Sequence, residues 1–259
     1  MRLLSRDINK LRWNHDSFVL LAYLPRGLFA LSYNTILHET KNGGEIMEYI
    51  LEIMPALLDG ALMTLKVFIF TLLGSIPLGI VVAFALQTNF KPLNFLINIY
   101  IWLMRGTPLL LQLIFVFYGL PLIGIVFERY DAALFAFILN YAAYFAEIFR
   151  GGIQSIPEGQ YEAAKVLRLT RFQTVKKIIL PQVIKVVLPS IGNEVINLVK
   201  DTSLIYVLGL GDLLRAGKIA MSRDVNLLPL VLVGIIYLLL TAILTLASKK
   251  LEKHYQYYK

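Results

Sequence analysis

Length, composition and charge exclude most classes of soluble protein. The chain has 259 residues, 58% hydrophobic and 16% charged, against about 45–50% and about 25% in soluble domains. It has no cysteine, which excludes disulfide scaffolds and thiol catalysis. Its three histidines lie near the ends, so they offer little to a zinc site, and we expect no metal. The net charge of +8 fits a membrane protein that keeps Lys and Arg on its cytoplasmic side, and we expect no nucleic-acid partner.

The first 46 residues contain no convincing membrane span. Their apolar stretches, 18–24 and 28–31, are short and separated by Pro25, Arg26 and Gly27. The same interruption argues against a signal peptide. Three interpretations stay open at this point: a disordered tail, a segment on the membrane surface, or an artefact of start-site choice.

Apolar runs of suitable length follow in the rest of the chain. A transmembrane helix needs about 20 mainly apolar residues. The segment 93–104 is apolar but short, so we expect an interfacial or half-buried helix there. We predict an all-α polytopic membrane protein with five transmembrane helices, at 67–86, 107–127, 132–149, 186–199 and 225–248.

The distribution of charge in the loops predicts the orientation. With the C-terminus in the cytoplasm, the inside segments hold 13 basic and three acidic residues. The outside segments then hold six basic and eight acidic residues. Because Lys and Arg concentrate on the cytoplasmic side, we predict that the N-terminus lies outside and the C-terminus inside.

The long cytoplasmic loop between the third and fourth spans contains a predicted helix. Ser155 and Glu158 have the spacing of a capping box, with Pro157 in the first turn. The helix should continue through about Leu169 and carry a small apolar face at Ala163 and Ala164. Two interpretations stay open: docking into a groove of another protein, or lying on anionic lipid.

This loop also carries a family resemblance. Glu162-Ala163-Ala164, followed by Ile178-x-Leu180-Pro181, resembles the EAA loop of bacterial ABC importer permeases. Three further stretches resemble the polar amino-acid branch, of the histidine and glutamine type: RGTPLLLQL at 105–113, YFAEIFRGGI at 144–153 and GNEVINLVKDTSL at 192–204.

The chain departs from the family pattern at Arg168. The family usually has glycine six residues after the glutamate of the EAA motif, where a tight turn separates two short helices. Arg168 therefore predicts a more continuous helix, or an arginine that contacts the partner.

The resemblance implies a function and a set of partners. It implies the type I ABC importer permease fold with a cytoplasmic EAA coupling helix, in a bacterial cytoplasmic (plasma or inner) membrane in contact with lipid. It implies a permease dimer with an identical or paralogous subunit, two ABC ATPase subunits, and an extracellular or periplasmic amino-acid-binding protein. The chain would be a transport subunit and no enzyme, binding no cofactor itself, with ATP and magnesium on the partner ATPase. The implied coupling residues are Ser155, Pro157, Glu158, Glu162, Ala163, Ala164 and Arg168.

Polar residues inside two spans are candidates for a substrate pathway. An amino-acid zwitterion needs acceptors for its ammonium and donors for its carboxylate, which carboxylates, amides, a tyrosine and helix ends supply. The alternative role, hydrogen bonding between helices, stays open. For Glu147 we expect an ion pair with Arg150, and for Lys200 a pair with Asp201. The candidates are Asn140, Tyr144, Glu147, Asn193, Glu194, Asn197, Lys200 and Asp201.

The resemblance begins near Met47, which suggests a division of the chain. We expect 1–46 to be an atypical extension and 47–259 to be the permease domain, with native translation starting at Met47. Gly43-Gly44 can be encoded by a purine-rich ribosome-binding sequence at a workable distance from that codon. The opposing interpretation is an extracellular segment that touches the binding protein.

Two other classes of membrane protein fit the sequence less well. A secondary transporter or channel predicts inverted repeats or a filter sequence, and neither is visible. An intramembrane enzyme needs a site such as a histidine pair in its spans, and the predicted spans contain no histidine. The stretch 211–219 has five residues between its glycines and isoleucine after the lysine, so it is no P-loop.

Overall fold

The computed structural model describes residues 43–255, and every regular element in that range is a helix. Residues 53–259 belong to one compact unit, and the preceding residues belong to another. The predicted boundary between 46 and 47 falls within the first helix, and 1–42 lie outside the described residues. The α-helices are α1 (Gly43–Ala85), α2 (Lys91–Gly106), α3 (Leu109–Ile114), α4 (Arg129–Gln154), α5 (Glu158–Val166), α6 (Arg171–Thr174), α7 (Leu180–Asp201), α8 (Leu213–Asp224) and α9 (Leu228–His254).

Four helical segments in the described range are long and apolar enough to cross a membrane. They are α1, α4, the continuous stretch Arg171–Leu208 that contains α7, and α9. A fifth crossing is possible through α2 and the helical stretch Leu109–Ile123, which meet at an angle of 107°. The all-α fold with five apolar segments agrees with the sequence prediction.

The break between α2 and α3 agrees with the separate short helix expected at 93–104, and it shortens the span expected at 107–127. Helix α2 ends at Gly106, and Pro108, at the N-cap of α3, has extended backbone angles. The helical stretch that follows ends at Ile123. Proline cannot donate the backbone hydrogen bond that a continuous helix needs, and it disfavours helical angles at Thr107. The chain therefore turns and starts a new helix.

Helix α4 is the centre of the described unit. It packs against α2, α3 and α7 and buries many alanines. Glycines on α1 and α4 allow close approach: a Cβ on Gly79 would lie 2.7 Å from Phe145, and one on Gly152 would overlap the Val187 side chain. Small residues at helix contacts are the usual means of packing helices in membranes. The polar side chains that α4 carries are thus held on a rigid central element.

A buried aspartate starts the helix between the last two spans. Asp212 is fully buried at the N-cap of α8, and its carboxylate accepts hydrogen bonds from the backbone N–H groups of Leu214 and Arg215. The N–H of Leu213 donates to the Thr64 hydroxyl of α1. A Cβ on Gly60 would lie 2.8 Å from the Asp212 carbonyl oxygen. The start of α8 is therefore fixed against α1.

Candidate functional site

A cavity of about 470 Å³ lies beside the bend, among α3, α4 and α7. Cavities that bind small molecules combine apolar walls with a few convergent polar groups. This one has both, including two carboxylates. Its lining residues are Thr107, Pro108, Leu109, Leu110, Asn140, Tyr141, Tyr144, Glu194, Asn197, Asp201 and Leu204.

The structure brings five of the eight predicted pathway residues to this cavity. Asn140 and Tyr144 come from α4, and Glu194, Asn197 and Asp201 come from α7. Their spacings of four residues on α4 and of three, four and seven on α7 put each set on one helical face. Glu147, Asn193 and Lys200 do not line the cavity.

Asp201 forms a different contact from the one expected. Its carboxylate accepts a 2.7 Å hydrogen bond from the Tyr141 hydroxyl on α4. Lys200, the partner expected for it, is adjacent on α7 and exposed, and it contributes only the attraction of its charge. Asp201 is therefore held at the cavity wall by a tyrosine.

Asn140 also stabilises the bend. Its side-chain amide donates to the carbonyl oxygen of Met104 at 2.9 Å and to the side-chain oxygen of Gln112 at 3.0 Å. Gln112 in turn donates to the Met104 carbonyl and to the Thr107 hydroxyl. These bonds satisfy a backbone carbonyl that the end of α2 leaves without a helical partner. The position of Asn140 fits both a substrate pathway and hydrogen bonding between helices, because it lines the cavity and also links helices.

Glu147 lies one turn beyond the cavity in an arginine cluster. Arg150 donates to both of its carboxylate oxygens, at 3.0 and 2.6 Å. Arg105 at the end of α2 lies 3.5 Å from the same carboxylate, and its guanidinium carbon lies 5.3 Å from the Tyr144 ring centre. The predicted pair with Arg150 is present within α4, and the contact with Arg105 joins α4 to the end of α2.

The loop after α4 differs locally from the predicted coupling helix. No capping box forms: the Ser155 hydroxyl donates to the Gly152 carbonyl, and Pro157 occupies the N-cap of α5. Proline fixes its own backbone at this position and brings no capping side chain. Glu158 is the first residue of α5, and a true capping box joins Thr170 and Gln173 at the start of α6.

The expectation of a continuous helix through Arg168 is wrong. Helix α5 ends at Val166, and Arg168 adopts a left-handed φ of 56°. The N–H of Leu169 donates to the Ala164 carbonyl and that of Arg168 to the Lys165 carbonyl. This Schellman-type ending is the turn that glycine usually makes. The arginine accepts a strained conformation, so the turn between two short helices forms without glycine.

The two alanines of the EAA motif have different environments. Ala163 is exposed, whereas Ala164 is buried within the chain itself. The expectation that the Ala164 side chain meets a partner is therefore corrected, because that side chain packs inward. Glu162 is exposed beside them. Large apolar side chains are exposed nearby: Val166 by 83%, Leu167 by 69% and Phe172 by 72%.

Several cavity residues were not predicted from the sequence. Residues 107–110 belong to a stretch that carries the family resemblance, and the sequence signal for their position beside a helix end is Pro108. Tyr141 was not predicted because it directly follows Asn140 and so falls outside the four-residue spacing that joins Asn140 to Tyr144. In the described part of the chain, no three His, Cys, Asp or Glu residues lie together as metal ligands.

Comparisons with known proteins agree on one family. Residues 75–257 match the family described as binding-protein-dependent transport system inner membrane component. The arginine transport system permease protein ArtQ of Bacillus subtilis (strain 168) is 39% identical over 202 residues, which cover 77% of this chain and 92% of that protein. The glutamine transport system permease protein GlnP of Escherichia coli (strain K12) is 33% identical, covering 77% and 93%.

A solved structure gives the same result for the fold. The crystal structure of an amino acid ABC transporter with histidines matches with a TM-score of 0.74 and 32% sequence identity. The match covers 79% of this chain and 96% of the other.

Proposed function

This chain belongs to the family of binding-protein-dependent transport system inner membrane components, and from that membership we propose that it is the membrane-spanning subunit of an ATP-driven importer of polar amino acids. It is a transport subunit and not itself an enzyme. The pathway would form in a dimer with an identical or paralogous permease. Nucleotide and magnesium would be bound by a separate ATPase, and a binding protein would deliver the amino acid.

The observation that carries the proposal is the pair of carboxylates in the cavity. Glu194 and Asp201 line it together with tyrosines and amides, and the lining residues include no Lys, Arg or His. An ionised carboxylate at membrane depth is costly unless it serves a partner. A substrate with an ammonium group is such a partner, so the cavity favours a cation-bearing solute.

The number of carboxylates favours some polar amino acids over others. One carboxylate is enough for the α-ammonium group that every amino acid carries. The second would be left for a cationic side chain, such as a guanidinium or an imidazolium. We therefore propose that basic amino acids bind better than neutral ones, and that acidic ones bind poorly.

The start of α3 can serve the carboxylate of the amino acid. Leu109 and Leu110 line the cavity, and the first backbone bond within this helix runs from the Gln112 N–H to the Pro108 carbonyl. The N–H groups before Gln112 are thus outside the helical ladder, where helix starts bind anions. One cavity would then hold both charged ends of a zwitterion.

The surface around α5 is the proposed ATPase contact. We define the coupling surface as Tyr161, Ala163, Val166, Leu167 and Phe172, all exposed. Apolar side chains in this number outside the membrane indicate a partner. Because α5 ends in a fixed turn and α6 leads directly into α7, movement of this surface can reach the helix that carries Glu194.

The location follows from the family and the charge distribution. As an inner membrane component with several apolar helices, the chain belongs in a membrane. We propose that its N-terminus faces outward and that α5 and the C-terminus face the cytoplasm, because 13 basic residues then lie inside.

Direct binding to the purified permease tests the proposal without the selectivity of a binding protein. Labelled arginine, histidine, glutamine and glutamate would be added to the complex in lipid nanodiscs. We expect saturable binding of arginine and histidine, weaker binding of glutamine, and none of glutamate at the same concentrations. Equal binding of arginine and glutamate, or no saturable binding of any amino acid, would contradict it.

A further inference from the structure

Two arginine side chains converge on one glycine at the end of the unit that we assign to the outer side. A Cβ built on Gly209 would lie 2.9 Å from Nη1 of Arg215 and 3.0 Å from Nη1 of Arg129. Gly209 has a φ of 78°, which ends the short helix Thr202–Leu208. Glycine thus leaves room for two guanidinium groups beside a tight turn.

Within the described residues, neither guanidinium has a hydrogen bond or an ion pair. Asp212 attracts Arg215 electrostatically, but its oxygens bind the backbone at the start of α8. The ion pair in this region, Arg223 with Asp224, lies at the other end of α8. Two like charges are therefore held close together, with Asp212 as a nearby counter-charge and no carboxylate bonded to either guanidinium within the described residues.

The positions of these arginines do not stabilise their helices. Arg129 is the first residue of α4, and Arg215 is the third residue of α8. Helix starts carry a partial positive charge, so cations there are unfavourable and anions favourable. Asp212 already caps the start of α8 and Asp131 lies in the first turn of α4, so the attraction for a further negative group comes from the two guanidinium groups.

Two lysines assigned to the same side lie against tyrosine rings. The Lys218 ammonium lies 4.1 Å from the centre of the Tyr206 ring, and that of Lys66 lies 4.9 Å from the Tyr130 ring centre. Arg129 is exposed and Arg215 is half-buried, so an approaching group can reach both.

We propose that Arg129 and Arg215 form an anion-accepting cleft that binds a carboxylate of the delivering binding protein. The inference rests on the proposed function and topology, which put this cleft on the side where the binding protein arrives. Paired guanidinium groups match the planar carboxylate of an Asp or Glu side chain. Docking at this cleft would orient the binding protein over the permease.

The test measures docking through ATPase stimulation. The complete permease–ATPase complex in nanodiscs is titrated with amino-acid-loaded binding protein at low and high salt. Arg129→Gln and Arg215→Gln should each raise the half-stimulating concentration roughly tenfold at low salt and reduce its salt dependence. Basal ATPase activity should not change. Arg215→Lys, which keeps the charge, should recover most of the response.

Arg223→Gln is the matched control, because that outer arginine already pairs with Asp224. It should shift the half-stimulating concentration less than twofold. If the wild-type complex is stimulated and the two cleft variants respond like it, the cleft inference is overturned and the proposed function stands. If no loaded binding protein stimulates the wild-type complex, both are overturned. Variants that dock normally but lose co-purified anionic lipid would assign the cleft to lipid and overturn the inference.

Discussion

The Tyr141 hydroxyl donates a 2.7 Å hydrogen bond to the Asp201 carboxylate, and this bond joins α4 to α7 at the cavity wall. It ties the central helix to the helix that continues from the loop containing α5 and α6. A movement that reaches α7 from that loop thus acts directly on a cavity carboxylate.

Tyr141→Phe should weaken the link between these helices. Hydrogen bonds between membrane helices contribute about 0.6 kcal/mol on average and up to about 1.7 kcal/mol. A double-mutant cycle of Tyr141→Phe with Asp201→Asn, read from thermal unfolding in nanodiscs, should show a coupling of that size. Tyr144→Phe with Asp201→Asn is the control and should show additivity, because Tyr144 donates no hydrogen bond to Asp201. Additive effects in both cycles would contradict the role of the bond.

Asp212 should make stability depend on pH. Its burial raises the pKa from an ordinary 3.8 to about 6, although the backbone N–H groups of Leu214 and Arg215 oppose this. The folded state then binds more protons than the unfolded state. The free energy of unfolding should therefore fall as the pH rises from about 4 to 6, and stay low above that.

Asp212→Asn removes the pH dependence of stability that Asp212 causes and leaves that of the other titrating groups. Asparagine caps helices as well as aspartate, so the start of α8 should remain. One pKa unit corresponds to about 1.4 kcal/mol, so the free energy of unfolding of the variant should exceed that of wild type by up to about 3 kcal/mol at pH 7.5. At pH 4 the two free energies should be similar. Thermal unfolding across this range, with the exposed Asp59→Asn as control, measures it. A constant difference between variant and wild type would refute the prediction.

Arg168→Gly should relieve the strained turn after α5. A left-handed conformation costs a residue with a side chain about 1–2 kcal/mol, and glycine adopts it freely. Amide hydrogen exchange across 158–169 should slow in the variant, with transport retained. Arg168→Ala keeps the strain and should not slow exchange. Equal exchange in the glycine and alanine variants would show that the turn is not strained.

Ala164→Trp and Val166→Asp should fail in different ways. The buried Ala164 has no room for an indole, so its variant should lose about 1–3 kcal/mol of stability by overpacking. Val166 is exposed on the coupling surface, so its variant should insert and fold but lose ATPase co-purification. Thermal unfolding and pull-down separate the two outcomes. Normal ATPase binding in Val166→Asp would remove Val166 from the contact.

The sequence was sufficient to predict features that depend on hydropathy or on helical spacing. Apolar runs predicted the four spanning helices and the apolar bent pair, and spacings of three and four residues put Glu194, Asn197 and Asp201 on one face. The angle of 107° between α2 and the next helical stretch was not predicted, because hydropathy does not indicate the direction in which a chain continues after a break. Tyr141 was missed because its partner lies sixty residues away on α7. The turn at Arg168 was not predicted, because the backbone hydrogen bonds of the turn outweigh the preference of arginine for a negative φ.

Direct binding of labelled arginine to Glu194→Gln permease tests the central claim most directly, because this change keeps the shape of the side chain and removes its charge. Asn193→Ala, next to it on α7 but outside the cavity lining, is the matched control. We expect arginine affinity to fall at least about tenfold in Glu194→Gln, which corresponds to about 1.4 kcal/mol for a lost charge-assisted contact. Complex assembly should be unchanged, and Asn193→Ala should bind like wild type. Unchanged arginine affinity in an assembled Glu194→Gln complex would contradict the account.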